Sequence, residues 1–446
     1  MVREEVTTFS FKDGSAAVVS RGELQQCEDW RNAFRNCCKD HRFYEIIEDT
    51  LANDFEYQYL ILRDLAGNVR GIQPFFFVQQ NLVEGIPGGV RHVVDSIRKK
   101  FPKFLTMRVL MVGCAAGEGH LGALASKDSV WIAEALHACL SQIARAAKAS
   151  LIVLKDFSSK YRDALARFSD NGFTRVPSMP MTRLALNFRD FDDYLAHLSY
   201  GTRKSLRRKF RKTERAAKID LEIVSDITPS LDEVYPLYLA VHERSPMKFE
   251  KLTKEYLAKL GQLMPERVRF FIWRLDRRII AFSICMVHDG TIYDEYLGLD
   301  YSVALDLHLY FYTLRDILRW AINHRLTFYC SSPLNYDPKL HLGCDLAPLD
   351  LYVRHTQPLL NPIFSRVVKF LEPTRHDSVL PKFANAAELY GRRLSSRARH
   401  PTRVLPNRSL PFRAAMCSSL STLAMCQWDF GNAVFPTAGK ISNTTT

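Results

Sequence analysis

Long hydrophobic runs are missing from this sequence of 446 residues. No stretch approaches about 18 consecutive apolar residues, so the sequence predicts no membrane-spanning helix. The N-terminus, MVREEVTTFSFKDG, carries acidic residues and lacks the apolar segment of a secretory signal. These two absences together predict a cytoplasmic protein. Apolar residues make up 47% of the chain and charged residues 24%, which is the balance of an ordinary globular protein.

The patterns of disulfide frameworks and zinc sites are lacking as well. The 10 cysteines are scattered, none forms a C-x-x-C pair, and no histidine cluster has the spacing of zinc ligands. Most cysteines lie in apolar runs, where a free thiol behaves as a small hydrophobic group. We therefore expect reduced cysteines in the core, no metal site and no tightly bound cofactor.

Acidic residues are fewer than basic ones: 61 Lys and Arg face 48 Asp and Glu, for a formal net charge of +13. A basic protein attracts anions such as nucleic acid, anionic lipid or phosphorylated small molecules. Much of the excess lies in residues 203–218 and in the segment after about Lys382. The terminal segment, 376–446, is basic and rich in Ser and Pro, so we expect a poorly ordered tail.

Strand and helix signals alternate along residues 1–190, the first half of the chain. The segments YQYLILRD and RGIQPFFFVQQ predict a hairpin, and RVLMVGC (108–114) predicts a buried strand. Apolar residues at helical spacing predict helices at 22–38 and 130–149. The unit ends in an extended segment, 173–186, which two prolines interrupt.

The second half, residues 191–375, repeats this plan. A basic helix (202–217) opens it, and VRFFIWRLD with RIIAFSICMVHDG predicts a second hairpin. A strand at 291–300, a long helix at 305–325 and a last strand at 348–355 follow. Because strands alternate with helices, the sequence predicts an α/β fold with one domain in each half, each domain a sheet covered by helices.

This order of hairpin, strand, long helix and strand resembles the fold of the GNAT acetyltransferases. Three segments carry the resemblance: SYGTRKSLRRKFRKTERAAKIDLEIV (199–224), IYDEYLGLDYSVALDLHLYFYTLRDILRWAINHRL (292–326) and SSPLNYDPKLHLGCDLAP (331–348). The doubled plan is similar to the predicted acyltransferases related to the Fem-type aminoacyl transferases of peptidoglycan cross-bridge synthesis. The resemblance spans about residues 55–356. It implies two tandem GNAT domains with mixed central sheets, and an enzyme that transfers an acyl or aminoacyl group to an amine.

The resemblance also indicates where an acyl donor binds. Many acetyltransferases hold the pyrophosphate of coenzyme A in a glycine-rich loop between the central strand and the long helix. Here that loop reads LDYSVALDLHL, with no glycine after Gly298, which weighs against the ordinary CoA mode. The donor is a cosubstrate: an acyl-CoA, an acyl carrier protein or an aminoacyl-tRNA. The residues assigned to the donor site are Leu305, Asp306, Leu307 and Tyr310.

Acyl transfer to an amine needs removal of the amine proton and stabilisation of the oxyanion. Asp294 and Glu295 lie on the central strand and are candidate bases, but adjacent strand residues point to opposite faces. Lys339 is similar to the loop lysine that neutralises a phosphate or the developing oxyanion in Fem-type enzymes. His308, at the start of the long helix, is a further candidate base. Each of these residues also has an ordinary structural explanation, as a paired carboxylate, a solvated lysine or a core histidine.

The basic helix carries many Lys and Arg against a single acid, Glu214. Its apolar surface is too small for a membrane helix, and its basic residues concentrate on one face. That face predicts binding to the phosphates of tRNA, to an acidic carrier protein or to a nucleotide-linked acceptor; the alternative is a solvated helix. The residues assigned to substrate binding are Arg203, Lys204, Arg207, Arg208 and Arg211, with Tyr293, Tyr296 and Asn335.

Two other interpretations remain open. GCAAGEG (113–119) follows a strand but lacks the G-x-G-x-x-G spacing, so we interpret it as a turn lining a vestigial or an acceptor cleft. The chain as a whole also fits a non-catalytic, acetyltransferase-like module that binds RNA or another polyanion through residues 203–218. The sequence predicts neither the acceptor nor the oligomeric state.

Overall fold

The computed structural model describes residues 7–81, 96–100, 106–245 and 248–391. Two mixed β-sheets, each flanked by helices, make up this part of the chain, which confirms the predicted fold class of tandem acetyltransferase-like α/β units. None of the helices in it is long and apolar enough to cross a bilayer.

The first sheet has eight strands, numbered along the chain. They are β1 (Thr7–Phe11), β2 (Gly14–Val19), β3 (Glu56–Asp64), β4 (Val69–Asn81), β5 (Thr106–Val112), β6 (Leu151–Ser158), β7 (Thr174–Pro177) and β15 (Leu349–His355). Their order is β1-β2-β3-β4-β5-β6-β15-β7, and β5 and β6 run parallel while the other neighbours are antiparallel.

The second sheet has seven strands and the same plan. They are β8 (Met181–Ala185), β9 (Ile219–Val224), β10 (Val268–Leu275), β11 (Arg278–His288), β12 (Thr291–Leu299), β13 (Phe328–Ser331) and β14 (Asp345–Ala347). Their order is β14-β8-β13-β12-β11-β10-β9, and here β12 and β13 form the parallel pair.

The α-helices follow from the apolar periodicity of their segments. They are α1 (Arg21–Leu24), α2 (His41–Leu51), α3 (Ser129–Ala146), α4 (Ala166–Asp170), α5 (Phe191–His197), α6 (Tyr200–Ala216), α7 (Leu231–Arg244), α8 (Lys254–Leu263), α9 (Leu309–Asn323), α10 (Tyr336–His341) and α11 (Asn361–Phe370).

The two sheets exchange one strand each. β8, from the first half, lies between β13 and β14, whereas β15, from the second half, lies between β6 and β7. Both therefore occupy the same place, next to the strand that runs parallel to the central one. A division at residue 190 leaves one strand of each sheet in the other half, and the two domains at that boundary stay a prediction.

The core continues from one half into the other. One cluster of buried side chains contains residues of both halves. In it the ring centroids of Phe43 on α2 and Tyr256 on α8 are 6.2 Å apart, and those of Phe55 and Phe249 are 5.4 Å apart. Burial of this apolar surface holds the halves together, so polar side chains at their contact are removed from water.

The helix predicted over 22–38 is wrong. The segment forms only α1 and a 3-10 turn (Glu28–Asn32), after which Phe34 has a left-handed φ of 60°. Trp30 explains the difference, because its buried indole donates to Glu45 at 2.9 Å and packs in an aromatic cluster. This tertiary packing overrides the local helical pattern, and the irregular chain that follows leads into the contact between the halves.

Part of the expected tail is folded. Residues 376–391 form short 3-10 turns, and Leu380, Phe383 and Leu389 are buried against the loop that follows β13. The rest of the expected tail, 392–446, lies outside the described residues.

Candidate functional site

The central strands of the second sheet part where the pairing of β12 and β13 ends. The last paired residues are Asp294 and Ser331, and the N–H of Ser332 donates to the carbonyl of Asp294 at 3.1 Å. Beyond this point β12 continues to Leu299 beside β11 alone, while the chain after β13 turns away. We call this opening the strand gap. Splayed central strands of this kind can supply a backbone N–H to an oxyanion.

A β-bulge at Glu295 marks the start of the strand gap. On β11, Cys285 lies opposite Asp294 and Ile284 lies opposite Tyr296, so Glu295 has no partner there. Bulges re-aim side chains. Asp294 faces α9, whereas Glu295 and Tyr296 face the first half. The two candidate bases therefore lie on opposite faces of the sheet.

Asp294 is fully engaged by neighbours. The hydroxyl of Ser283 donates to its Oδ1 at 2.6 Å, and that of Tyr329 donates to its Oδ2 at 2.8 Å. Burial raises the pKa of Asp294, although these hydrogen bonds and the charge of Lys339 oppose the rise. Because both oxygens already accept hydrogen bonds, Asp294 orders the wall of the strand gap.

Lys339 lies beneath the far wall of the strand gap and is only 4% exposed. Its ammonium donates to the carbonyls of Ser332 and of Leu334, the latter at 2.8 Å. Leu334 and Asn335 both have left-handed φ, 72° and 52°, so the lysine holds a strained turn in place. It is therefore not a solvated loop lysine, and its part in neutralising a phosphate or an oxyanion stays a prediction.

Burial lowers the pKa of Lys339 to about 8. The unfolded chain then binds more protons than the folded one between about pH 8 and the usual lysine pKa of about 10.4. The stability of the wild type relative to Lys339→Met should therefore rise with pH across this window. Urea unfolding at pH 7 and pH 10 measures it, with Lys254→Met, at an exposed lysine, as the control. A difference that does not change with pH would contradict the buried position.

The donor side of the strand gap is bordered by α6 and the start of α9. The hydroxyl of Thr213 on α6 donates to the carbonyl of Leu307 at 2.7 Å, and the Lys209 ammonium lies 3.3 Å from the ring centroid of Phe311. Burial lowers the pKa of His308, and nearby Lys and Arg side chains of α6 lower it further. The lowered pKa favours the neutral imidazole, which lies among the cations of α6.

The residues assigned to the donor site are divided between surface and core. Leu305 and Asp306 are exposed, Leu307 is buried beneath α6, and Tyr310 lines the strand gap beside Asn335. The first turn of α9 does not form an open phosphate cradle, because the N–H of Leu309 already donates to a carbonyl at 2.9 Å. This agrees with the missing glycines: positive charge at the mouth comes from side chains, not from a glycine-rich loop.

The predicted basic helix is confirmed as α6. Ser199 caps it by accepting from the N–H of Thr202 at 3.2 Å. Arg203 is structural, since it donates to the carbonyl of Ala196 at 3.0 Å and closes the end of α5. The outward side chains, which we call the basic row, are Lys204, Arg207, Arg208, Arg211, Lys212 and Arg215. Within the described residues only Arg207 of this row has an ion pair, with Asp192 at 3.6 Å.

The opposite face of β12 carries a buried group of charges, which we call the interface cluster: Lys39, Glu118 and His120 of the first half with Glu295 of the second. Lys39 is 1% exposed, and its Nζ lies 3.0 Å from Glu295 Oε2 and 3.3 Å from Glu118 Oε2. His120 Nε2 lies 3.5 Å from Glu118 Oε1. The strand gap therefore has a buried cation and two carboxylates behind it.

The pKa values of the two carboxylates in the interface cluster are shifted in opposite directions. Burial alone raises the pKa of Glu118, but Lys39 and His120 hold it well below its usual range. Burial raises the pKa of Glu295, and the negative charge of Glu118 adds to this effect while Lys39 opposes it. Glu295 Oε1 is buried and has no hydrogen-bond partner within the described part of the chain. A carboxylate with a raised pKa and an unengaged oxygen is suited to general-base catalysis.

Sequence reasoning missed Lys39, Glu118 and His120. The available signal was the glycine-rich turn 113–119, which contains Glu118 and reaches the interface cluster; its part in an acceptor cleft stays a prediction. Gly117 has φ 135°, and a Cβ there would lie 2.1 Å from Lys39 Nζ, so glycine makes room for the ammonium. The same turn returns to β6, where the N–H of Gly119 donates to the carbonyl of Asp156 at 2.9 Å. It thereby fills the space beside β6 in the first sheet that corresponds to the strand gap of the second.

The remaining predicted substrate residues lie on both sides of β12. Tyr296 faces the first half, and its hydroxyl donates to Glu250 at 2.7 Å. Tyr293 packs against the shared core, whereas Asn335 lies at the donor side. In the described ranges, no three His, Cys, Asp or Glu side chains are arranged to hold a metal ion.

The two sheets, each with one parallel pair of strands, have the mixed α/β arrangement of tandem GNAT proteins. Residues 99–331 match the FemAB-like family, whose description is peptidoglycan biosynthesis/recognition. The match covers more than half of the chain, and the protein belongs to this family. The protein is accordingly an acyltransferase of the GNAT-related, Fem-like group. No curated protein matches the sequence.

Several solved structures have similar folds. FemX is 12% identical, with a TM-score of 0.48 over 80% of this chain and 99% of that one. The C-terminal domain of a putative lysylphosphatidylglycerol synthetase from Agrobacterium fabrum is 13% identical, with a TM-score of 0.42 over 73% and 94%. A tandem GNAT protein from the clavulanic acid biosynthesis pathway is 12% identical, with a TM-score of 0.40 over 71% and 88%. At such identities the likeness is one of fold alone.

Proposed function

We propose that the protein forms an amide by moving an aminoacyl or acyl group from a polyanionic donor to an amine, with the chemistry at the strand gap. The observation that carries the proposal is Glu295. It stands at the bulge where the strands part, and one of its carboxylate oxygens is unengaged. The basic row lies toward one side of this point and the interface cluster lies on the other.

The two sides suit the two substrates. The donor carbonyl enters the strand gap from the side of α9, and the acceptor amine reaches Glu295 when the contact between the halves opens to admit it. Glu295 takes a proton from the amine, the nitrogen attacks the carbonyl carbon, and a tetrahedral oxyanion forms. When that intermediate collapses, the donor's oxygen or sulfur leaves with the proton from Glu295. Lys39 keeps the carboxylate oriented and holds its other oxygen.

The length of the basic row favours an aminoacyl-tRNA as the donor. From Lys204 to Arg215 the helix rises about 16 Å at about 1.5 Å per residue. One pyrophosphate, as in coenzyme A, occupies only part of that length, whereas successive phosphates of a nucleic acid strand occupy all of it. The family's description supports a peptidoglycan precursor as the acceptor. An acyl carrier protein and an acyl-CoA are alternative donors that the tests below separate.

Charge reversal in the basic row should weaken donor binding. For Arg208→Glu/Arg211→Glu we expect at least about a tenfold loss of affinity for aminoacyl-tRNA at about 0.1 M salt, because phosphate contacts and counterion release are lost. The slope of log affinity against log salt should become shallower by about one unit or more. Fluorescence anisotropy over a salt series measures both quantities.

The matched control is Arg31→Glu/Arg35→Glu, which makes the same charge change at exposed positions of the first half. It should lower affinity less and leave the salt slope nearly unchanged. Equal losses in the two variants would mean that net charge, and not the basic row, attracts the donor.

A further inference from the structure

Helix α11 presents an apolar outer surface. Its inner side chains are used by the fold: Phe364 and Val368 pack against the core, and the hydroxyl of Thr174 donates to that of Ser365 at 2.7 Å. The outer side chains remain in contact with water, with exposed fractions from 36% at Leu371 to 90% at Leu359. We call this set the apolar stripe: Leu359, Leu360, Ile363, Val367, Phe370 and Leu371.

The apolar stripe is continuous and has a basic margin. At about 100° per residue, its members fall within an arc of about 120°, with Phe364 and Val368 beyond the edge at Leu371. Arg366 and Lys369 are exposed beyond the opposite edge of this arc. Apolar side chains that share one face in this way mark an interaction surface, whereas exposed apolar residues scattered singly do not.

We propose that the apolar stripe docks the protein on the surface of an anionic lipid bilayer. An amphipathic helix that lies in the membrane interface combines an apolar face with Lys and Arg that meet the headgroups. Each cation near an anionic bilayer adds to this attraction. The formal net charge of +13 acts in the same direction. This inference does not depend on the acyl-transfer chemistry.

A second copy of the chain fits the apolar stripe less well. The helix is only about 15 Å long, and its apolar stripe offers on the order of a few hundred Å², whereas stable dimers bury about 800 Å² on each partner. Two copies also bring like net charges together, which opposes association at low salt. A bilayer has neither limit, because it accepts a small apolar surface and its charge is complementary.

The test is flotation of the full-length protein with lipid vesicles. The wild type should float with vesicles of phosphatidylcholine that contain about one third phosphatidylglycerol. A much smaller fraction of it should float with vesicles of pure phosphatidylcholine. Ile363→Ser/Val367→Ser/Phe370→Ser should lower the bound fraction at least tenfold. The matched control, Leu65→Ser/Val130→Ser/Leu263→Ser, removes scattered residues that are 46% to 78% exposed and should bind as the wild type does.

Three results would overturn the inference. The first is a wild type that does not float with anionic vesicles, as expected if another part of the chain covers the apolar stripe. The second is vesicle binding that survives in the stripe variant but disappears in Arg208→Glu/Arg211→Glu, which would assign the attraction to the basic row. The third is a wild-type dimer that the stripe variant converts to monomer, without vesicle binding, which would make a second copy the partner.

Discussion

Glu295→Gln should reduce the rate of amide formation by a factor of about 10² to 10⁴, the usual contribution of a general base. The amide keeps an acceptor oxygen for Lys39, so the fold should be nearly unaffected, but it cannot take the proton of the amine. Burial raises the pKa of Glu295. The wild-type rate should therefore increase as pH rises through that pKa, and this increase should be absent in the variant. Single-turnover transfer measured from pH 5 to 9 tests both statements.

Glu250→Gln is the matched control for this prediction. Glu250 is another carboxylate at the contact between the halves, and burial raises its pKa too. Its Oε1 already accepts from Tyr296 at 2.7 Å, so we expect less than about a tenfold effect on transfer, since a neutral amide can still accept this hydrogen bond. If Glu295→Gln transferred as fast as Glu250→Gln while remaining folded, another residue would be the base.

Lys39→Met should lower the free energy of unfolding by about 3–5 kcal/mol, the usual cost of leaving a buried charge without its partner. The change removes the only cation within 4 Å of the Glu295 carboxylate in the described structure and leaves Glu118 with His120 alone. Urea unfolding at pH 7 measures the effect. Lys259→Met is the control, because Lys259 joins the same two halves through Asp49 at 2.9 Å but is solvent-accessible, and exposed pairs contribute about 0–1 kcal/mol.

The loss of unfolding free energy caused by Lys39→Met should be smaller at acidic pH. Ion pairing lowers the pKa of Glu118, so the stability that this pair contributes is present above the unfolded glutamate pKa of about 4.3 and is lost as pH falls through the folded value. Replacing Glu118 by Gln in the same chain should recover part of the loss at pH 7. A Lys39→Met penalty no larger than that of Lys259→Met would contradict a dry, charged contact between the halves.

The order of strands and helices was predictable because each element carries its own local pattern. β12 and α9 have apolar residues at the spacings of a strand and a helix, and α6 is a strongly basic segment with a serine cap. The exchange of β8 and β15 was not predictable, since the pattern of a strand does not say which sheet it joins. The helix predicted over 22–38 was wrong for a related reason. The local periodicity of this segment is helical, but burial of Trp30 depends on a distant strand.

Some residues of the candidate site were likewise predictable from the sequence, and others were not. Asp294, Glu295 and Lys339 could be singled out because they lie in short segments that resemble a known family. The bulge that separates the surroundings of Asp294 and Glu295 depends on register with β11, which one strand's sequence does not contain. The interface cluster joins Lys39 to Glu295 across 256 positions, so no motif or spacing links them. Lys339 was singled out for a charge, but its contacts show that it also holds a turn.

Transfer itself tests the central claim most directly. We would incubate the purified protein with an amine acceptor and, in turn, aminoacyl-tRNA, an acyl carrier protein and an acyl-CoA, and detect the amide by mass spectrometry. We expect amide from aminoacyl-tRNA, with formation reduced in Arg208→Glu/Arg211→Glu and nearly abolished in Glu295→Gln. Amide from another donor would replace the tRNA assignment and keep the chemistry. Tight RNA binding with no amide from any donor would contradict the account.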